Sequence, residues 1–366
     1  MAVLVTTGLM KILHAAETIK GGVATVMRTL ALAQSDGNTV RCLVPADQAK
    51  ELAPFRNVLT FSRGGRNVLS FLSFIWNFAK AVVTFRPHVV HLHSTFAGVL
   101  GRIVLVLLWP VVRPKVVYMP HAWAFIMDGS HTRKKMFARV EKWLYPFTSK
   151  VVCVSQYEAD EARRFGLPTH KTIVIYNGTP IITAKEIPNP YAHKGLNLLF
   201  VGRLDFQKGF DVMLDAMERL AKNPDAAHIH LTVVGEGVHG KGSQPERPNI
   251  TYMGWLSSDK LIPFFAHADV VVMPSRWEGF AMVPLEAMSH GVPVVASNVS
   301  SLPEVVIPNQ TGFLFTVGDS AELADLLLKT PATKWRDMGL NARTLHTRKF
   351  NVENMVAEVI KVYGGK

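Results

Sequence analysis

Two glutamates, Glu278 and Glu286, bracket Gly279 and Phe280 in the run VVVMPSRWEGFAMVPLEAMSHGVPVVASNVSSLPEVV (270–306). A carboxylate accepts two hydroxyl hydrogen bonds, and free amides ahead of a helix favour an anion. Those groups together suit a ligand rich in hydroxyls or phosphate. Helix capping by Glu278 and a solvated Glu286 are the plain alternative. In VGRLDFQKGFD (201–211), Arg203 and Lys208 occupy a loop between an apolar strand and a helix. Two cations at the carboxyl edge of a parallel strand are placed for a diphosphate, although a surface salt-bridge pair would look the same. In KGGVATV (20–26), Gly21 and Gly22 lead from a first strand into a helix, where backbone amides can reach a phosphate. A simple tight turn fits that pair equally well.

Histidines mark other strand ends. HVVHLHS places His91 and His93 on one face of a strand, and YMPHAW puts His121 at the end of the next. His121 is the strongest functional candidate, as a hydrogen-bonding group for a substrate hydroxyl or phosphate. A metal at His91 and His93 lacks an evident third ligand, so no metal is expected. Several motifs are missing. There is no Asp-x-Asp metal clamp, no G-x-S-x-G and no P-loop pattern. GEGVHGKG (235–242) resembles part of a dinucleotide fingerprint but falls in the wrong half of the chain and has no acidic ribose reader after it.

These groups need a scaffold, and 366 residues with 48% hydrophobic content supply about two domains. KILHAA, TVRCLVP, HVVHLHS, KVVYMPH, KVVCVS and TIVIYNG read as short apolar strands separated by helical stretches such as Ala24–Gln34. The proline-rich stretch 179–195 reads as a linker. The rhythm then restarts in LNLLFVG, HIHLTVVG, ITYMG, DVVVMPS and VPVVAS, with helices such as Asp211–Lys222. Fully apolar strands alternating with helices imply parallel sheets covered on both faces. The expected fold is therefore α/β, two doubly wound Rossmann-like domains facing a central cleft. The expected boundaries are residues 1–180 and 181–350, with a closing helix in 351–366 that packs back on the first domain.

The charge is lopsided. Residues 1–190 carry 23 Lys+Arg and 10 Asp+Glu, a net +13, whereas residues 191–366 carry 17 and 18. From Leu52 to Met127 there are eight basic residues (Arg56, Arg63, Arg66, Lys80, Arg86, Arg102, Arg113 and Lys115) and no acidic one. Arg133, Lys134, Lys135, Arg139 and Lys142 follow. Such a surface attracts an anionic partner, nucleic acid or an acidic membrane leaflet, although a merely solubilising basic face would look the same. The greasy segments 69–85 and 96–112 each carry a basic residue and are too interrupted to read as membrane spans; they are expected as buried helices or as helices touching a bilayer. The apolar stretch before Lys11 lacks the order of a secretory signal, and Met10 is a plausible start after a short extension. Cys42 and Cys153 lie in strand-like runs and read as buried thiols in a reducing compartment.

Taken together these residues resemble glycosyltransferase family 4, of the GT-B fold. The resemblance rests on the E-x7-E motif Glu278 to Glu286, then the GR-L-x3-KG run Arg203 to Lys208. Gly21-Gly22, PHAW around His121, IYNG at 175–178 and PEVV-x4-TGFLF at 303–315 support it. Ser300-Ser301 departs from the pattern, since relatives usually have glycine before the x-P-E. The resemblance implies a retaining transferase that uses a nucleotide diphosphate sugar as donor, without a metal or other cofactor. Glu278 would bind donor hydroxyls with the amides of Gly279 and Phe280. Glu286 would hold the ribose. Arg203 and Lys208 would neutralise the diphosphate, Gly22 would meet it from the other domain, and His121 would lie beside the donor sugar. The basic first domain then fits a lipid-linked saccharide acceptor and a peripheral place on the inner face of the cytoplasmic membrane, in exopolysaccharide or O-antigen synthesis. Rival readings are a GT-B epimerase or a starch- or glycogen-type synthase. A dinucleotide-dependent oxidoreductase lacks its fingerprint, and a nucleic-acid binder lacks a recognition motif.

Overall fold

A computed structural model describes residues 9–127, 129–182, 187–237 and 247–364. The start of the chain through residue 8, part of the linker (183–186) and most of the GEGVHGKG turn lie outside the described residues. The chain forms two compact units: residues 1–177 together with 352–366, and residues 178–351.

The first unit contains β1 (Lys11–Ala16), α1 (Gly22–Gln34), β2 (Thr39–Pro45), β3 (Val58–Phe61), α2 (Val68–Phe85), β4 (Val89–His93) and α3 (Thr95–Leu107). These are followed by β5 (Lys115–Met119), α4 (His131–Leu144), β6 (Lys150–Cys153), α5 (Gln156–Arg164) and β7 (Thr172–Val174). Its seven strands run in the order β3-β2-β1-β4-β5-β6-β7, and all their pairings are parallel. The core between sheet and helices includes Leu13, Leu92, Phe74, Phe78, Tyr118 and Trp123. Cys42 and Cys153 are buried and unpaired, and burial pushes both thiols upward.

The second unit contains β8 (Leu196–Val201), α6 (Phe210–Ala221), β9 (Ile229–Val234), β10 (Ile250–Gly254), α7 (Ser258–His267), β11 (Val270–Met273) and α8 (Val283–Ser289). Then come β12 (Val294–Ser297), α9 (Leu302–Val305), β13 (Gly312–Phe315), α10 (Ser320–Lys329) and α11 (Ala332–Lys349). The six strands run β10-β9-β8-β11-β12-β13, again all parallel. A final helix, α12 (Val352–Gly364), belongs to the first unit, where it packs on α1 and β5. The sequence reading omitted β3 and β13, each only four residues long.

Burial explains why these strands read as unbroken apolar runs. Every residue of β4, β9, β11 and β12 is buried, as expected where helices cover both faces of a sheet. In each sheet the strand order reverses once, between β1 and β4 and between β8 and β11. Ligands bind at such switch points, beyond the carboxyl ends of the strands. The loops leaving β1 and β4, with the adjacent β5, and those leaving β8 and β11 carry the candidate residues.

The structure corrects the reading of the basic run. Arg102 is 1% exposed and lies inside the core. Its NH2 group donates to Glu141 Oε2 at 2.6 Å, its Nε donates to the Gly98 carbonyl at 2.7 Å, and its guanidinium covers the Tyr118 ring. A buried guanidinium needs such partners to offset its desolvation, so Arg102 is a core residue and not part of a charged surface. Arg63 is likewise paired, 2.9 Å from the buried Glu17.

Candidate functional site

In the second unit, the loop from β8 to α6 and the loop from β11 to α8 are laced together. Arg276 donates two hydrogen bonds to Asp211, at 2.7 and 2.6 Å, and stacks its guanidinium 3.8 Å from the centre of the Phe206 ring. The Arg276 amide donates to the Gln207 carbonyl at 2.8 Å, and the Gln207 side chain donates to the Trp277 carbonyl at 3.3 Å. Gly209 caps α6 with a left-handed backbone, φ 64°, and a Cβ there would collide with the Pro274 carbonyl oxygen. Only glycine allows that approach.

The lacing brings Lys208 to Glu278. The Lys208 Nζ lies 2.6 Å from Glu278 Oε1, and the same oxygen accepts from the Ser275 hydroxyl at 2.7 Å. Glu278 is 6% exposed and sits five residues before α8, so it is not a helix cap. Its backbone amide donates to Ser300 Oγ at 3.2 Å. Ser300 itself adopts φ 53°, the left-handed region that favours glycine. The serine departure therefore carries backbone strain and supplies a hydroxyl that holds Glu278. Gly279 and Phe280 follow in the same loop, both partly exposed.

Arg203 lies on the β8 loop with an exposed side chain, held by Gln207 Oε1 at 2.6 Å and Asp205 Oδ2 at 3.3 Å. Glu286 occupies the first turn of α8. Burial raises its carboxyl to about 7, and no hydrogen-bonding or ionic partner is found for it among the described residues. The structure thus bonds Lys208 directly to Glu278 and ties Arg203 to the same loops through Gln207. Glu286 has no bond to that group.

In the first unit, Gly21 caps α1 with φ 67°, and Gly22 begins the helix. The loop before them is pinned by Gln48, whose Oε1 accepts from the Ile19 amide at 2.8 Å. The ends of β4 and β5 are strained: Ser94, His121 and Ala122 have φ of 68°, 54° and 90°. Residues in such conformations persist only where surrounding bonds enforce them, and they concentrate at functional sites. The enforcing group here is Glu158. Its carboxylate accepts from the Ala122 amide and from the Val154 amide, each at 2.7 Å. Ser155 caps α5 by accepting from the Glu158 amide. Glu158 escaped the sequence reading, although the Ser-x-x-Glu spacing at a helix start marks both residues.

His121 is partly exposed, and burial of its ring lowers its pKa to about 3, so it is neutral. Its Nε2 lies 2.9 Å from His93 Nδ1. His91 and His93 do share a strand face, their rings stacked 4.2 Å apart, and both are fully buried. The third imidazole that the sequence did not reveal is His14 on β1, opposite His91 in register. Ring nitrogens of His14, His91 and His93 lie within 4.8 Å of one another, the spacing of a metal-ligand group. Yet both nitrogens of His14 and of His93 are engaged in hydrogen bonds, to Gln34, to each other and to His121.

Residues 20–181 match the family model described as Glycosyltransferase Family 4, and residues 195–330 match Glycosyl transferases group 1. An uncharacterised 41.2 kDa protein of the Klebsiella pneumoniae cps region is 34% identical, over 97% of this chain and 99% of its own length. An Escherichia coli UDP-Gal:α-D-GlcNAc-diphosphoundecaprenol α-1,3-galactosyltransferase is 27% identical over 75% of this chain and 74% of its own. Among solved structures, Anabaena HepE in complex with UDP superposes with a TM-score of 0.79 at 22% identity, covering 98% of this chain and all of that one. The two parallel sheets flanked by helices are those of the GT-B fold.

Proposed function

This chain belongs to glycosyltransferase family 4, and we propose that it transfers a hexosyl unit, with retention of configuration, from a nucleotide diphosphate sugar to a lipid-linked saccharide during bacterial surface polysaccharide synthesis. The relative from a cps region and the relative named for an undecaprenol-linked acceptor support that assignment. The observation that carries it is the Lys208–Glu278 pair, built at the carboxyl ends of the second unit's switch-point strands. A partly buried ammonium beside a carboxylate offers a cation for a departing diphosphate and an acceptor for sugar hydroxyls within one bond of each other. Arg203 adds a second cation, and Glu286 a carboxyl, without a partner among the described residues, for ribose hydroxyls. The amides of Gly279 and Phe280 serve as further donors to the bound nucleotide sugar; within the first unit, Gly22 is assigned to the diphosphate and His121 to a sugar hydroxyl.

In the reaction, the bond from the anomeric carbon to the diphosphate oxygen breaks and a bond to the acceptor oxygen forms. The acceptor proton leaves with the diphosphate. Negative charge grows on the leaving group, so Lys208 and Arg203 contribute more in the transition state than in the ground state. They take the place of a divalent cation, and turnover is expected to survive a chelator.

Two features of the first unit support a peripheral membrane position and a phosphate-bearing acceptor. The helix α2 is long and apolar enough to cross a membrane by length and composition. Its buried face, including Phe74, Phe78 and Val82, fills the core, while Leu69, Leu72, Trp76 and Val83 form an exposed stripe with Lys80 among them. With one face committed to the core, α2 is suited to resting its apolar stripe on a bilayer surface and not to spanning it. On α4, Lys134, Lys135, Arg139 and Lys142 line a hollow of about 610 Å³ whose apolar wall includes Phe125 and Phe165. No carboxylate pairs with these four among the described residues.

A thermal-shift panel of UDP-, GDP-, ADP- and dTDP-sugars tests the assignment. A selective rise with one nucleotide is expected, and transfer from that donor to an undecaprenyl-diphosphate saccharide should exceed transfer to the free sugar. No response to any nucleotide overturns it.

A further inference from the structure

The hydrogen bonds behind His121 do not stop at His93. They run His121 Nε2 to His93 Nδ1 at 2.9 Å, His93 Nε2 to His14 Nδ1 at 2.9 Å, and His14 Nε2 to Gln34 Oε1 at 2.8 Å. The Gln34 Nε2 continues to the Tyr363 hydroxyl at 3.3 Å, and that hydroxyl lies 2.6 Å from His91 Nδ1. Gln34, His14, His91 and His93 are wholly inaccessible, and Tyr363 nearly so. The chain crosses α1, β1, β4, the β5 loop and α12, all within the first unit.

A neutral imidazole has one donor and one acceptor nitrogen, so a line of imidazoles must all point the same way. The direction comes from the far end. Gln34 presents its carbonyl oxygen to His14 and its amide protons to Tyr363. His14 must then carry its proton on Nε2 and accept at Nδ1. His93 in turn must donate from Nε2 and accept at Nδ1, and His121 must donate from Nε2. That leaves His121 Nδ1 as a bare acceptor. Rotating the Gln34 amide by half a turn would reverse every proton in the line and make Nδ1 a donor. Burial opposes any added charge, so the line cannot escape by protonating one ring.

We propose that Gln34 is a positioning residue that fixes His121 as a neutral, acceptor-only imidazole at Nδ1, and so selects a ligand group that donates a hydrogen bond there. A hydroxyl satisfies that demand; a carboxylate or a phosphate oxygen does not. The tautomer stands on the geometry alone, whereas its catalytic consequence rests on the proposed sugar transfer. Tyr363 secures the amide when its hydroxyl donates to His91 Nδ1, because its oxygen is then the acceptor for Gln34 Nε2. His91 Nε2, without a hydrogen-bond partner among the described residues, is the terminus of the line.

Two-bond proton–nitrogen correlation spectra of the full chain, labelled with ¹⁵N-histidine, report the tautomer of each ring directly. The wild type at pH 7 should show His14, His93 and His121 all protonated on Nε2. Gln34→Met keeps the volume and removes both polar ends, and His121 should then show a mixture of tautomers. Gln34→Glu, kept neutral by burial, retains a carbonyl acceptor for His14 and a hydroxyl for Tyr363 and should restore the single form. With the donor identified by the nucleotide panel, Gln34→Met should lower kcat about tenfold with KM for the donor unchanged, and Gln34→Glu should recover most of it. A His121 protonated on Nδ1 in the wild type, which needs no variant, overturns the proposal. So does a folded Gln34→Met protein with an unaltered His121 tautomer. If the wild type shows the expected tautomers but turns over no nucleotide sugar, the functional assignment fails and the relay stands.

Discussion

The ammonium of Lys208 and the carboxylate of Glu278 are 70 residues apart in sequence and 2.6 Å apart in space. Neither is a surface charge, their side chains being 19% and 7% exposed. Before any ligand arrives the two neutralise each other, so a diphosphate competes with Glu278 for Lys208 while the sugar hydroxyls take over the carboxylate.

Removing one partner strands the other. Lys208→Met should therefore cost stability, about 2 kcal/mol by urea denaturation, as well as turnover. Adding Glu278→Gln should recover most of that stability and none of the activity. Arg203→Ala is the contrast. Its side chain is exposed and tethered only to its own loop, so kcat/KM should fall at least about tenfold, or 1.4 kcal/mol of barrier, with an unchanged urea midpoint.

Glu286 gives a pH signature. Its carboxyl is raised to about 7 by burial, so the folded chain holds a proton that the unfolded chain releases from about pH 4.5 upward. Stability should consequently fall as pH rises across that window, by roughly 3 kcal/mol at most. Urea midpoints measured from pH 4.5 to 8 should show the fall in the wild type and its loss in Glu286→Gln. A fall of the same size in the variant would assign it elsewhere.

The buried imidazoles act in the opposite sense. His14 is lowered to about 4 and His121 to about 3, with His91 and His93 also well below the ordinary histidine range through burial. The unfolded chain binds protons at these rings from about pH 6.5 downward while the folded chain refuses them. Stability should thus drop steeply from pH 6.5 towards 4, each such ring adding about 1.4 kcal/mol per pH unit. A His14→Gln variant should show a shallower drop in the same titration.

Glu158 holds the strained segment at His121 and Ala122. Glu158→Gln keeps the shape but can accept at only one atom, leaving one of the two amides, Ala122 or Val154, unpaired. Expected costs are about 2 kcal/mol of stability and a loss of turnover larger than that change explains. Hydrogen exchange should quicken at Ala122, Val154 or both, and unaltered exchange at both would remove Glu158 from this role.

Lipid association rests on the α2 stripe. Trp76 is 73% exposed and touches no core, so Trp76→Glu should leave folding unchanged while weakening sedimentation with phosphatidylglycerol vesicles at least tenfold. Equal binding by the variant, or none by the wild type, would place the membrane surface elsewhere or nowhere.

The fold was legible because parallel strands covered on both faces are apolar throughout, and β1, β2 and β10 begin and end where their residues predict. Glu278, Lys208 and Arg203 were legible because loops after switch-point strands carry few residues and each charge stands out. Family membership places the chain among glycosyltransferases and not among oxidoreductases. What sequence could not show is pairing at long range. Arg102 counted as a surface cation until its partner Glu141, 39 residues later, came into view. The relay joins Gln34 to Tyr363 across 329 positions, and no local period links them. Ser300 read as a departure from pattern, but its bond to Glu278 became visible only in three dimensions.

The placement of α12 bears on biosynthesis. Tyr363 caps the histidine line of the first unit, yet the ribosome makes it after the whole second unit. While the chain is nascent, the slot against α1 and β5 stands open to water, and the buried imidazoles lack their phenolic neighbour. The earliest-made part of the molecule therefore receives one of its buried partners last, and a product clipped before α12 would lack the Tyr363 bonds to Gln34 and His91.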